Sequence, residues 1–234
     1  MIRQLKIVAR LSSEDEAALA TLPMTSVSKS SGEDIVREGD QPDSCCFVLS
    51  GLFCCYKLVD SGRRQIMSFN FPGDLPDLQS LYLERMDHGL MTLSPAVAAF
   101  IPHDAVYRLI DAYPGVRYAL TKHILVDSSI LRQWLANLGR RSALERIAHL
   151  FCECYVRLKA RGFVPGQTFE FLPTQVDIGD ATGLSSVHVN RTMQELRQRG
   201  LLKSSGRTQE ILDFEGLKAL ADFDPAYLHM LQAR

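Results

Sequence analysis

The residues with the clearest chemistry lie between Pro173 and Gly200, in the run PTQVDIGDATGLSSVHVNRTMQELRQRG. Ser186, His188, Asn190 and Arg191 are set for the outward face of a helix, while Val189, Met193 and Leu196 repeat at helical spacing and form its buried face. The residue types suit base reading. Arg can hold a guanine edge with two hydrogen bonds, Asn can hold an adenine edge, and His can donate to an acceptor. Val187 has no hydrogen-bonding group; it either touches a thymine methyl or packs. Ser185 precedes the helix as its N-cap, and Thr174 caps a shorter helix carrying Val176, Ile178 and Ala181. Gly183 allows the tight turn between them. Two short helices about a glycine-containing turn make a helix-turn-helix, whose second helix enters the major groove. The following LLKSSGRTQEILD has the pattern of a hairpin with Ser205-Gly206 at its tip. That hairpin makes the unit a winged helix and puts Lys203 and Arg207 where a flanking phosphate would lie. The candidate DNA contacts are therefore Thr174, Ser185, Ser186, His188, Asn190, Arg191, Lys203 and Arg207. The competing reading is a solvated polar face on a structural helix.

Other reactive side chains are weaker leads. Cys46 and Cys55 fall opposite each other if Ser50-Gly51 centres a hairpin, which would allow a thiol switch. As small hydrophobes they would equally well fill strands, and no neighbouring Lys or Arg is there to lower a thiol pKa. Cys152 and Cys154, two apart on a helix, point to different sides, and no C-x-x-C occurs, so no metal is expected. Asp74 and Asp77 are paired carboxylates, and His88, His103 and His123 are scattered. None sits in a nucleophile-elbow, phosphate-loop or zinc motif, and the carboxylates read as turn and cap residues. Neither catalysis nor a cofactor is expected.

The elements that must position these residues change character along the chain. Up to about residue 110, turn signals recur at Ser31-Gly32, Gly39-Asp40, Ser50-Gly51, Asp60-Ser61-Gly62 and Pro72-Gly73. Short apolar or alternating runs lie between them. Cys45–Leu49 and Leu52–Val59 flank Ser50-Gly51 as a hairpin would, Met67, Phe69 and Phe71 alternate with Ser68 and Asn70, and Val97–Ile101 is a further strand candidate. Such a pattern predicts a sandwich or barrel. Asp104–Ala112 reads as a short helix ending before Pro114. From Gly115 to Leu138 a long helix is expected, with Leu120, Ile124, Asp127, Leu131, Trp134 and Leu138 stepping by fours and threes, and a second stripe through Ala119, Val126 and Ile130. Two apolar faces need two partners: one stripe is expected to face its own β domain and the other a second subunit, unless both are core. Gly139 is expected to interrupt this helix. Ser142 and Glu145 form a capping box for the next, whose apolar face runs through Ile147, Leu150, Phe151, Cys154 and Leu158 to Arg161-Gly162. Phe163–Leu172 looks like a hairpin around Pro165-Gly166.

Bulk properties are those of a globular chain. The 234 residues include 46% hydrophobic and 23% charged ones, and the net charge of -1 taken alone argues against nucleic acid. The charge is unevenly placed, however. Residues 139–211 carry eleven Lys/Arg against seven Asp/Glu, and the remainder fifteen against twenty. The start, charged within its first ten residues, does not read as a signal peptide, and no stretch approaches a membrane span, so a soluble, cytoplasmic protein is expected.

Taken in order, the GEDIVREGD run, Leu49-Ser50-Gly51, Pro72-Gly73-Asp74, Pro114 before the long helix, Arg146-Ile147-Ala148 and GLSSVHVNRTMQEL resemble the Crp/Fnr family of bacterial transcription regulators, from about Gly32 to Asp213. The resemblance implies an α+β, two-domain fold. A cyclic-nucleotide-binding-like β-roll (a jelly-roll-like double-stranded β-helix) with flanking helices would span 1–113, a dimerisation helix 114–138, and a winged helix-turn-helix 139–234. It further implies a homodimer on a double-stranded, pseudo-palindromic operator, with RNA polymerase as a partner and rotation about Gly139 as the response to a signal. In members that bind cyclic AMP, a glutamate meets the ribose, an Arg-Ser pair meets the phosphate, and a Thr-Ser pair meets the adenine. Asp77, His88-Gly89 and Leu131-Arg132 stand at those places here, and Pro76 replaces a glycine and removes an N–H. A neutral His is a poor substitute for a guanidinium fork. Asp74, Asp77, His88, Leu131 and Arg132 thus outline an effector pocket not suited to cyclic AMP in the usual mode. No cysteine precedes Cys45 to hold the iron–sulfur cluster of the oxygen-sensing branch, and His88 is the one candidate for the axial ligand of a haem-sensing branch. A thiol-responsive regulator, or a protein-binding module on the same fold, is the alternative.

Overall fold

A computed structural model describes residues 1–59 and 62–231, so Asp60 and Ser61 of one expected turn lie outside the described residues. The chain divides into two units, Met1–Ser129 with the residues from His229 on, and Ile130–Leu228.

The first unit opens with α1 (Ile2–Val8) and α2 (Ser13–Ala20). Seven strands follow: β1 (Thr25–Lys29), β2 (Asp34–Val36), β3 (Ser44–Ser50), β4 (Phe53–Leu58), β5 (Arg64–Asn70), β6 (Gly89–Thr92) and β7 (Ala96–Pro102). They form two antiparallel sheets, ordered β1-β7-β3 and β2-β6-β4-β5. Inward side chains from both sheets, among them Val36, Cys46, Val48, Phe53, Cys55, Leu90 and Ala98, make one shared core. The expected β-roll is present.

Two strand expectations are corrected. Ser50-Gly51 does not centre a hairpin, because β3 pairs with β7 and β4 with β5 and β6. Gly51 instead carries the chain from one sheet to the other, with φ +84 and so little room that a Cβ would lie 2.6 Å from that of Ala96. Cys46 therefore pairs with Phe100, and Cys55 with Ser68 and Leu90, not with each other. In β5 the simple alternation breaks at a bulge, where Cys55 pairs with Ser68 and Tyr56 with Ile66. Ile66 and Phe69 are consequently fully buried while Met67 is only partly so.

After β7, α3 (His103–Ala112) leads to α4 (Pro114–Arg140), a helix of 27 residues. Its first part belongs to the first unit, and Ile130–Arg140 to the second. Pro114 sits in the first turn, where its missing N–H has no cost. Gly139 does not interrupt the helix. The Arg141 N–H still reaches the Asn137 carbonyl (3.2 Å), and the break comes at Ser142, which caps the next helix.

In the second unit, α5 (Ala143–Ala160) starts at the expected Ser142–Glu145 capping box. Then come β8 (Thr168–Glu170), α6 (Gln175–Thr182), α7 (Ser186–Gln198), β9 (Leu202–Ser205), β10 (Thr208–Ile211) and α8 (Phe214–Ala221). Phe163–Leu172 is not a hairpin. Its one strand, β8, pairs with β10 of the wing in a sheet ordered β8-β10-β9. The core joins Ile147 and Phe151 of α5, Val189 and Leu196 of α7, Leu202 and Ile211 of the wing, and Leu217 of α8, all essentially inaccessible.

Candidate nucleic-acid interface

Local capping chemistry builds the reading head. The Thr174 hydroxyl accepts from the Asp177 N–H (3.2 Å), and the Asp177 carboxylate accepts from the Thr174 N–H (2.9 Å), so α6 has a full capping box. Gly183 ends α6 in the left-handed region, at φ +69. A second glycine, Gly179, matters as much. The Leu184 N–H donates to its carbonyl (3.0 Å), and a Cβ at Gly179 would lie 2.5 Å from the Leu184 oxygen. The turn can fold over α6 only because position 179 has no side chain. The Ser185 hydroxyl then accepts from the His188 N–H (3.3 Å) and starts α7.

Val189, Thr192, Met193 and Leu196 form the buried face of α7, as expected for three of the four. Ser186, His188, Asn190 and Arg191 are all exposed. At 3.6 residues per turn, the direction opposite the buried face runs through Val187, Arg191, Gln194 and Gln198. Ser186 and Asn190 lie on one flank and His188 on the other. Sequence reasoning missed Gln194, which continuing the three-residue step from Arg191 would have found. Val176 is not on the buried face of α6; it is 57% exposed, whereas Ile178 and Ala181 are buried.

The wing is held to the reading helix. Arg197 of α7 donates to the Ser204 hydroxyl (3.5 Å), which donates to Gln209 (2.6 Å). Arg207 is exposed at the wing turn, and its carbonyl accepts from the Phe171 N–H (2.7 Å). Lys203 is exposed and ion-paired with Glu210 at 3.6 Å. Arg146, unweighed as a site from sequence, bridges the Arg141 carbonyl (2.9 Å) and the Thr182 carbonyl at the end of α6 (2.8 Å), so it fixes where the helix-turn-helix hangs from α5.

Three of the residues expected in an effector pocket, Asp74, Asp77 and His88, are hydrogen-bonded within the first unit. Asp74 accepts from the Phe71 N–H (2.8 Å) and the Gln4 amide (3.2 Å). Asp77 is buried and accepts from the Cys46 N–H (2.8 Å); burial pushes its carboxyl up to about 7. His88 Nε2 lies 2.7 Å from the Gln79 amide nitrogen, and its Nδ1 lies 3.2 Å from the Gly89 carbonyl oxygen. The Tyr56 ring covers Gly89, where a Cβ would come within 2.4 Å of it. Leu131 and Arg132 are exposed in the part of α4 that belongs to the second unit. Among the described residues, no group of His, Cys, Asp and Glu could hold a metal ion.

The thiols are poorly placed to react. All six are buried, and none is in a disulfide. Burial pushes Cys55 up to about 12 and raises Cys46 well above the ordinary value. Thiols held in their protonated form are poor nucleophiles.

The expected subunit stripe on α4 splits. Leu120 is buried in the first unit. Trp134 is buried in the second, donating its indole N–H to Glu153 at 3.0 and 3.2 Å. Glu153, a fully buried carboxylate, also takes the Tyr227 hydroxyl (2.7 Å) and Arg157 (3.3 Å). Ile124, Asp127 and Leu138 are half-buried, with Asp127 3.6 Å from His123. Leu131 is 44% exposed, and Leu135, which was not in the expected stripe, 71%.

A winged helix-turn-helix following a roll of this type defines a DNA-binding transcription regulator. Comparison with known proteins agrees. Residues 145–220 match the model of a Crp-like helix-turn-helix domain, and residues 27–113 that of a cyclic nucleotide-binding domain. The transcriptional activator protein Anr of Pseudomonas aeruginosa is 30% identical over 190 residues, covering 81% of this chain and 78% of that one. FnrA of Stutzerimonas stutzeri, also a transcriptional activator, matches to the same extent. Among solved structures, FixK2 from Bradyrhizobium japonicum superposes with a TM-score of 0.77 at 24% identity, covering 85% of this chain and 98% of that one, which supports the fold. The chain belongs to the Crp/Fnr family.

Proposed function

We propose that the protein acts as a homodimer on a pseudo-palindromic operator, each subunit laying α7 into one half-site, with the half-sites about one helical turn apart. The exposed face of α7, held by two capped helices and a turn that Gly179 and Gly183 permit, is the observation that carries this reading. Arg191 and Asn190 read guanine and adenine edges, and Ser186 and His188 add hydrogen bonds. Thr174, Ser185, Lys203 and Arg207 position the backbone. The sensor roll is 1–113, the dimerisation helix 114–138 and the DNA-binding domain 139–234. Ile124, Leu131, Leu135 and Leu138 supply the dimer contact. A signal at the roll biases an equilibrium between arrangements of the dimer, RNA polymerase is the partner at the promoter, and the cytoplasm is the compartment.

Cyclic AMP in the family's usual mode is not that signal. Asp77 and His88 make hydrogen bonds within the roll, and His88 stands at the place of the arginine that takes the phosphate in members binding cyclic AMP. Titration calorimetry with cyclic AMP is expected to show no saturable heat in the micromolar range; one site per subunit there would overturn this. For the DNA reading, gel shifts on genomic fragments should show sequence selectivity and an affinity falling steeply with salt. Binding that is unselective, or indifferent to salt, would favour a protein-interaction module instead.

A further inference from the structure

Val187 is the most exposed large apolar residue of the described chain, at 78%, and it stands in the first turn of α7 at the centre of the outward face. Folding gives no account of it. A β-branched residue has no advantage in a helix, and this one buries little in return. Its surroundings are those of a base reader: Arg191 lies one turn on along the same face, with Ser186 and Asn190 on one flank and His188 on the other. The position therefore meets DNA if α7 does, and it meets it with two methyl groups and no hydrogen-bonding group. An outward carboxylate or amide there would seek a base donor. Val187 instead would leave a cytosine amino group or a guanine oxygen unanswered, at a cost in desolvation. The major-groove feature that rewards it is the 5-methyl group of thymine.

We infer that Val187 is a specificity-determining residue that selects a thymine in each half-site by contact with that methyl. The inference rests on the proposed DNA reading and names part of its target. Val187 and Arg191 are four residues apart, roughly 6 Å along the helix, and successive bases on a strand are about 3.4 Å apart. The thymine should therefore lie within about two base steps of the guanine held by Arg191.

The test uses full-length protein and a randomised duplex pool. Wild type should select a two-fold site containing a thymine at that spacing. Replacing that thymine by deoxyuridine removes only the methyl. It should weaken wild-type binding about fourfold, the worth of one buried methyl group, and leave Val187→Ala, a change at an exposed position, unaffected. If wild type selects a site but tolerates uracil there, or if Val187→Ala suffers the same uracil penalty, the inference is overturned and the DNA reading stands. If no sequence is enriched over the pool, the DNA reading itself fails and takes the inference with it.

Discussion

Arg191 and Lys203 carry the same charge and should fail differently. Arg191 stands on the outward face of α7, so Arg191→Ala should cost about 1–3 kcal/mol of operator binding and relax base preference at one position per half-site. Lys203 lies on the wing and already has Glu210 at 3.6 Å. Lys203→Ala should weaken binding modestly and equally on all sequences, lowering the salt slope by about one. Competition assays on matched and scrambled duplexes separate the two; a uniform loss in both mutants would refute the division into readers and positioners. Asp77 makes a different residue-scale prediction. Its buried carboxyl titrates near 7, far above that of an unfolded chain. Below about pH 4 both states are protonated. Between there and about 7 the unfolded chain gives up its proton while the folded chain holds it. Stability from this group is therefore lost as pH rises through that window and then levels off. Asp77→Asn keeps an acceptor for the Cys46 N–H, so its advantage over wild type should grow from pH 4 to 7 by up to ~4 kcal/mol. Thermal melts across that range check it, and a flat difference would show that the carboxyl is not buried as described.

At the scale of elements, what was legible in the sequence was what is local. The caps at Ser142, Thr174 and Ser185 hold because each needs only the residues two or three places on. The buried face of α7 follows from spacing alone. Strand partners are not local. Whether Gly51 closes a hairpin or carries the chain between sheets depends on Ala96, far along the chain, and no pattern near Gly51 encodes that neighbour. Gly139 misled for the complementary reason. A glycine weakens a helix by about 1 kcal/mol, but side chains beside it fasten the joint. Gln133 and Asn137 of α4 hold the His149 ring of α5 (3.2 and 3.0 Å), and Trp134 holds Glu153. His149 is kept neutral, its pKa lowered by burial to about 3. This buried network, and not the helix propensity at 139, sets the geometry of the α4–α5 joint. Glu153→Leu would remove the buried acceptor that Arg157, the Trp134 N–H and the Tyr227 hydroxyl share, so it should destabilise the second unit by about 3 kcal/mol or more. Trp134 is the chain's one tryptophan, and its emission during urea unfolding reports this directly. A loss below about 1 kcal/mol would mean the network is not what holds the joint.

For the whole molecule, the near-zero charge is the sum of a basic stretch over 139–211 and an acidic remainder. The basic stretch contains the helix-turn-helix and wing, so the positive charge that favours DNA belongs to the part of the chain proposed to read it, and the net acidic charge to the remainder. One such head offers few base contacts, and the proposed operator affinity depends on two acting together. Linking two weak binders raises affinity by about 10²–10⁴ without new contacts. The candidates for that link are Leu131 and Leu135, four apart on α4 and exposed. Leu131→Asp with Leu135→Asp should leave the fold intact, because neither side chain is in the core, while placing charges where the second subunit would pack. Sedimentation should show a monomer, and affinity for a two-half-site operator should fall about a hundredfold towards that of one half-site. A double mutant that still sediments as a dimer would move the subunit contact off this face of α4, and with it the expected spacing of the half-sites.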